Sequence, residues 1–249
     1  EEKKIEFFDL KNRFYSNQNK FSQIPGSPVA YWVSEAVFNV FNKGTLLGEI
    51  ADAKQGIATA DNNRFLRLWF EVGKDKISFN TQNHEEAKVN GKKWFAYNKG
   101  GEFRKWYGNN EFIVNWENDG EELKNFKASV LRNPSYYFKE CFSWSLVSSG
   151  MAAFRYKSMG QIFDVAGMSC FSNQKLMYFL LGLCNTKIAM KILKIIAPTI
   201  NYQCGDIANL PILYLENYSE INKIVKENIN ISHIDWDYYE TSWDFKRNP

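Results

Sequence analysis

Between Gly48 and Phe70 the chain carries a run of side chains able to read a base or grip a phosphate: Gln55, Thr59, Asp61, Asn62, Asn63 and Arg64. Amides and guanidinium groups make paired hydrogen bonds to base edges, so a loop presenting several of them is suited to that work. A plain polar hairpin loop accounts for the same residues, because motifs this short are weakly specific. A second group is basic and aromatic. From Lys88 to Tyr107, Lys88, Lys92, Lys93, Lys99, Arg104 and Lys105 stand against the single acid Glu102, a local balance of +5. Trp94, Phe95, Tyr97, Phe103, Trp106 and Tyr107 are interleaved with them, a mixture that can serve phosphates and bases together. A half-buried strand pair with a solvated lysine face fits equally well. A third group is the lysine row Lys187, Lys191 and Lys194, spaced to share one helix face. It is either a solvated face or a rail for phosphates.

Chemistry that makes or breaks bonds is harder to find. No P-loop and no G-x-G-x-x-G is present, and neither His84 nor His233 sits in a recognisable catalytic motif. Cys141, Cys170, Cys184 and Cys204 are scattered without a C-x-x-C pair, which argues against a zinc site and for a reduced intracellular protein. The tetrapeptide Asn133-Pro-Ser-Tyr136 approaches the Asn-Pro-Pro-Tyr motif of amino-methyltransferases. Ser135 replaces the second proline, however, and no glycine-rich strand-loop for a methyl-donor nucleoside precedes it. Asn-Pro here reads as a turn.

The elements that would position these residues follow from period and punctuation. Ile5, Phe8, Phe14 and Tyr15 mark a connecting element with the look of a short helix, and Ile24-Pro-Gly-Ser-Pro28 marks the entry to a compact unit. Ser34 is placed to cap a helix over Glu35–Phe41, ended by Lys43-Gly44. A strand over Glu49–Lys54 precedes the amide loop, and apolar alternation resumes at Phe65–Phe70. Gly56 falls where a strand would otherwise continue, which predicts a turn or a close backbone approach. Residues 71–90 read as a polar surface insertion, a strand followed by a helix or loop. Strands are expected at 92–97, 112–116, 141–147, 153–156 and 161–165, with a helix over 121–131. Two helices follow over 174–196, broken at Asn185-Thr186 and stopped by Pro198. The tail from Glu216 carries seven acids against four bases and reads as a helix plus a returning arm. Its Trp236, Tyr238, Tyr239 and Trp243 suit docking to another domain.

The fold class is therefore α+β: a twisted, mixed or antiparallel β-rich core with a C-terminal helical part. The expected divisions are a connection over 1–26, the β-rich core over 27–171, a helical hairpin and return strand over 172–215, and a helix and arm over 216–249. The 249 residues, 24% charged and 45% hydrophobic, are ordinary for a globular protein, and a net charge of +3 does not by itself indicate nucleic acid. The N-terminus lacks a signal-peptide run, no apolar run is long enough to span a bilayer, and the chain starts without Met. It reads as a cytoplasmic piece of a longer protein.

Several stretches together resemble a known family. Leu47 to Phe65, with its Gln55-Gly-Ile-Ala-Thr-Ala-Asp-Asn62, is similar to the Gln-Gly-x-x-Thr-Gly-x-Asn-x-x-Phe stretch of C-terminal specificity domains in N6-adenine DNA methyltransferases. These include the PglX-type enzymes of BREX phage-exclusion systems and type IIG restriction-modification enzymes. Lys93 to Tyr107, Val114 to Gly120, Tyr136 to Glu140, Ser143-Trp-Ser145, Leu181 to Lys187 and Asp235 to Arg247 resemble it in order. Ala60 departs from the pattern, which often has Gly there.

The resemblance implies a DNA target-recognition domain of a bacterial or archaeal methyltransferase, non-catalytic by itself. The S-adenosylmethionine site and true catalytic motif would lie in a methyltransferase domain upstream. The implied partners are double-stranded DNA, that N-terminal domain and, beyond it, other defence-system subunits, with no membrane. Residues expected at the DNA are Gln55, Thr59, Asn62, Asn63 and Arg64 near bases, and Lys99, Arg104 and Lys105 at phosphates. Trp144 to Ser148 are expected to form a second wall, and Lys187, Lys191, Asn201 and Tyr202 to add contacts. The alternative is a protein-interaction module built on the acidic, Trp-bearing tail; a carbohydrate-binding use of the aromatics ranks third, because interleaved Lys and Arg suit phosphates better.

Overall fold

The run Trp94-Phe-Ala-Tyr-Asn98 does not alternate, which marks a strand covered on both faces. In the computed structural model, which describes residues 2–9, 11, 15–213 and 218–248, all five of these residues are buried. The helices are α1 (Glu2–Phe8), α2 (Glu35–Lys43), α3 (Leu47–Ile50), α4 (Asn62–Phe65), α5 (His84–Val89), α6 (Glu117–Asn125), α7 (Gln174–Cys184), α8 (Lys187–Ile196), α9 (Cys204–Ala208) and α10 (Ser219–Asp237). The strands are β1 (Thr45–Leu46), β2 (Asp52–Lys54), β3 (Leu66–Leu68), β4 (Ile77–Ser78), β5 (Trp94–Asn98), β6 (Phe112–Asn115), β7 (Cys141–Ser143), β8 (Arg155–Lys157), β9 (Ile162–Phe163), β10 (Ser169–Phe171) and β11 (Pro211–Ile212). The expected stripe through Phe14 and the boundary at 215–216 fall partly outside the described residues.

Two main sheets organise the chain. One runs β3-β6-β5-β4, with β9 also on β5, so β4 and β9 share one edge of β5 end to end. The other is antiparallel, in the order β2-β10-β7-β8, and β1 pairs separately with β11. Asn98, at the end of β5, ties the sheets together. Its Nδ2 donates to Ser143 Oγ on β7 at 2.7 Å and to Gly167 O at 3.0 Å.

Each sheet has its own apolar core. Phe65, Phe95, Tyr97, Val114, Trp116, Phe138 and Phe163 fill the first. Phe142, Trp144, Phe154 and Cys170 join Leu180, Leu181, Ile192, Leu193 and Trp236 of the C-terminal helices in the second. The architecture is α+β with a helical C-terminal part, as the patterning implied. The helix break at Asn185-Thr186 is where the sequence places it: Thr186 Oγ1 caps α8 by accepting from Ala189 N at 3.1 Å. Ala189, Met190, Ile192 and Leu193 of α8 face inward.

Several elements differ from expectation, each for a packing reason. Glu49 and Ile50 form the end of the single turn α3, and the strand begins only at Asp52. Asn118, Asp119 and Gly120 are left-handed (φ 52°, 59° and 78°). The helix then stops at Asn125 instead of Leu131, because the chain leaves it to pair Val130 with Ala58. Segment 71–90 holds the expected strand and helix, β4 and α5, but it is more than a surface insertion: β4 extends the first sheet, and Ile77 and Ala87 are buried. Ser169–Phe171 is a central strand that the pattern did not announce. Ser34 precedes α2 as expected, although its side chain makes no capping bond.

Candidate nucleic-acid interface

The amide loop is held by the backbone of β9. Ile57 N donates to Phe163 O at 2.8 Å, and Val165 N donates to Ile57 O at 2.9 Å. This is the close approach expected at Gly56: a Cβ there would lie 1.8 Å from Phe163 O. Asn133 Nδ2 donates to Gln55 O at 2.9 Å and fixes the loop entrance. Ala60 adopts φ +59°, the left-handed region that glycine enters without cost, at the position where the family pattern often has Gly. Asp61 then caps the turn α4, accepting from Arg64 N at 3.0 Å. Asn62 and Asn63 are left exposed.

A hydrogen-bonded circuit runs outward from this loop. Thr59 Oγ1 donates to Asn62 Oδ1 at 2.7 Å, and Lys99 Nζ lies 3.5 Å from the same oxygen. Lys99 also donates to Asp164 Oδ2 at 2.8 Å. Buried Asp164 further accepts from the Tyr97 hydroxyl and from Ala166 N. Burial first, and then the Asp164 charge, push the Tyr97 phenol well up. Ala166 O accepts from Leu146 N, Leu146 O accepts from Tyr202 N, and Ile200 O accepts from Ser148 N. Gln55 Nε2 donates to Gln203 Oε1 at 3.3 Å and closes the circuit.

This arrangement brings together residues far apart in the chain, Gln55, Asn62, Lys99, Ser148 and Asn201. It also adds Gln203, which no motif singles out. Gln203 is exposed at the N-cap of α9, but no period or spacing ties it to Gln55.

Other expected residues are placed elsewhere. Trp144 is fully buried, its Nε1 donating to Tyr202 O at 2.8 Å, so it is core and not a surface wall. Tyr202 and Thr59 are buried too, and they support the loops from behind. Arg64 turns to Glu122 (2.7 Å) and lies over the Phe65 and Phe126 rings. The Arg64 hydrogen bond is also the main cause holding the Glu122 carboxyl below its usual value.

The basic-aromatic segment is largely occupied by internal contacts. Lys88 pairs with Glu85, Lys93 with Glu117 and Arg104 with Asp235. Lys92 and Lys105 bind the backbone carbonyls of Asp75 and Asn185. Trp94, Phe95, Tyr97 and Tyr107 are buried, leaving Phe103 exposed. By contrast, Lys187, Lys191 and Lys194 all face solvent along α8, and among the described residues none of the three makes an ion pair.

The Asn133-Pro-Ser-Tyr136 turn is built into the fold. The Asn133 amide is held by Gln55 O, and the Tyr136 ring packs on Phe171 with Lys54 and Lys139 over it. Burial pushes the Cys141 and Cys204 thiols up to about 12, which keeps them protonated. Of the tail aromatics, Trp236 and Trp243 pack inward, whereas Tyr238 and Tyr239 are exposed. Among the described residues no helix is long and apolar enough to cross a membrane.

Comparison with known proteins agrees with the class that the residues resemble. The chain is 36% identical over 249 residues to the adenine-specific methyltransferase PglX of Lacticaseibacillus casei (strain Zhang), covering 96% of this chain and 20% of that protein. It is 38% identical over 253 residues to the adenine-specific methyltransferase BrxX of Escherichia coli O9:H4 (strain HS), covering 100% of this chain and 20% of that protein. No family model matches. The chain is thus a relative of adenine-specific methyltransferases. Its counterparts are PglX and BrxX, and it spans about a fifth of their length.

Proposed function

We propose that this chain is the target-recognition part of a site-specific adenine-N6 DNA methyltransferase of a phage-defence system. In this reading it grips duplex DNA and selects the sequence, and methyl transfer from S-adenosylmethionine belongs to another part of the protein. The observation that carries the proposal is the set of amides Gln55, Asn62 and Gln203, gathered from distant loops by the hydrogen-bonded circuit; the solvent-facing lysines of α8, which make no ion pair among the described residues, add to it. Amides present donor and acceptor together and suit base edges, while a lysine row suits the phosphate backbone and fixes register without reading sequence.

The test is methylation-sensitive sequencing of DNA from a host with and without the full gene. Loss of one N6-methyladenine motif on deletion is the expected result, and an unchanged methylation pattern would remove the methyltransferase reading.

A second reading, a docking module for the methyltransferase portion or for other defence-system subunits, is favoured by exposed apolar groups. Ile5, Phe7 and Phe8 of α1 face solvent, and so do Tyr238 and Tyr239. A groove of about 520 Å³ between α7 and α10 is lined by Trp106, Phe179, Leu183 and Ile224. The two readings concern different surfaces. Substituting the two exposed tyrosines should weaken subunit association and leave DNA binding unchanged if both hold.

A further inference from the structure

The geometry points to a divalent transition-metal site at His233, Asp237 and Asp244, which would fasten the C-terminal arm to α10. His233 and Asp237 lie one turn apart on α10, and Asp244 arrives from the returning arm. One imidazole nitrogen and one oxygen from each carboxylate lie within 4.8 Å of one another. His233 Nε2 has almost no solvent exposure and no hydrogen-bond partner, yet it sits 3.2 Å from Asp237 Oδ2. This is an i, i+4 contact between side chains 40% and 29% exposed, and its length also fits two ligands of one ion: tetrahedral ligands about 2.1 Å from zinc stand about 3.4 Å apart.

The surroundings hold this ligand set in place. Ser242, buried, donates from Oγ to Asp237 Oδ1 at 2.7 Å and accepts from Asp244 N at 3.1 Å. Its first bond leaves Asp237 Oδ2 turned to the cluster, the orienting role that outer partners play around metal ligands. The Tyr107 ring lies against the imidazole, with centroids 3.9 Å apart. One nitrogen and two oxygens suit zinc, cobalt or manganese better than a soft-ligand metal. The arm that Asp244 anchors is already seated on the first sheet: Trp69 Nε1 donates to Thr241 O, Lys74 donates to Trp243 O, and Trp243 packs on Phe79. An ion would lock helix, arm and sheet together.

The test is calorimetric titration of the whole chelator-treated protein with Zn²⁺, with Co²⁺ absorption as a second readout. One Zn²⁺ per chain is expected, with affinity falling at least about tenfold in Asp244→Asn and in His233→Ala. A Co²⁺ band diagnostic of nitrogen and oxygen ligands is expected in the unsubstituted protein, which tests the site even if His233→Ala fails to fold. Binding only at millimolar Zn²⁺, or binding that Asp244→Asn leaves unchanged, would overturn the assignment.

Discussion

Residues 88–107 and helix α8 are both lysine-rich and short of acids, yet they end in opposite states. In the first, every cation meets an acid or a carbonyl: Lys88 pairs with Glu85 on its own helix, and Asp75, Glu117, Asp164, Asp235 and Asn185 reach the others from elsewhere in the chain. In the second, the apolar positions turn inward and leave three lysines pointing to water. The lesson is physical. Charge density along a sequence measures potential at a surface only where no distant segment supplies a counter-charge, and β-sheets supply distant segments freely. The segment that looked richer for phosphates is mostly a fastening between sheet, helix and tail.

This contrast can be broken by substitution, and the largest effect should come from the fastened region. Lys99→Ala removes the cation from Asp164, whose side chain is 1% exposed. Breaking such a pair leaves a buried charge uncompensated, so a loss of about 3 kcal/mol in unfolding free energy is expected by urea denaturation. If stability does not change, Lys99 is not structural.

Next in size is the amide loop. Asn62→Ala with Asn63→Ala should cost about 1–3 kcal/mol in binding to the preferred site and relax specificity, measured by competition between matched and mismatched duplexes. Gln substitutions of Lys187, Lys191 and Lys194 should weaken binding evenly across sequences. They should also flatten the salt dependence by about 0.9 in log–log slope for each phosphate that is no longer neutralised. A change of specificity in that triple variant would reverse the division of roles. The exposed pair of Arg64 and Glu122 should matter least to folding: Arg64→Ala is expected to cost under about 1 kcal/mol in thermal or urea unfolding.

Acid should act through Asp119. Burial alone would raise this carboxyl, but hydrogen bonds from Lys124, His84 and Trp116 outweigh it and hold it below its usual value. A carboxyl depressed in the folded state adds stability above its unfolded pKa, and that stability disappears as pH falls through the lower folded value. Lys124→Met should therefore make unfolding less steeply pH-dependent at the acid end, read from urea midpoints.

The helical part of the fold was legible because its signals are local. The periodic apolar positions of α7 and α8, the Thr186 cap and Pro198 all lie within a few residues of what they control. Gly56 was legible for a related reason, since a glycine interrupting a strand implies something close by. The candidate surface was legible only in part. Gln55 and Asn62 announce themselves by residue type, but Gln203 belongs beside them only because the fold closes a loop 148 residues long. The burial of Trp144 and the capture of Arg104 by Asp235 have the same origin: partners that no spacing reports. Short central strands such as Ser169–Phe171 carry too few residues to display a period.

The central claim is that the Gln55–Asn63 loop and its circuit select the DNA sequence. Its most direct test is methylation-sensitive sequencing of cells expressing the whole protein with and without Asn62→Ala and Asn63→Ala. Methylation that persists but spreads to sites relaxed at one or more motif positions is the predicted result. An unchanged motif methylated to the same extent would contradict the account.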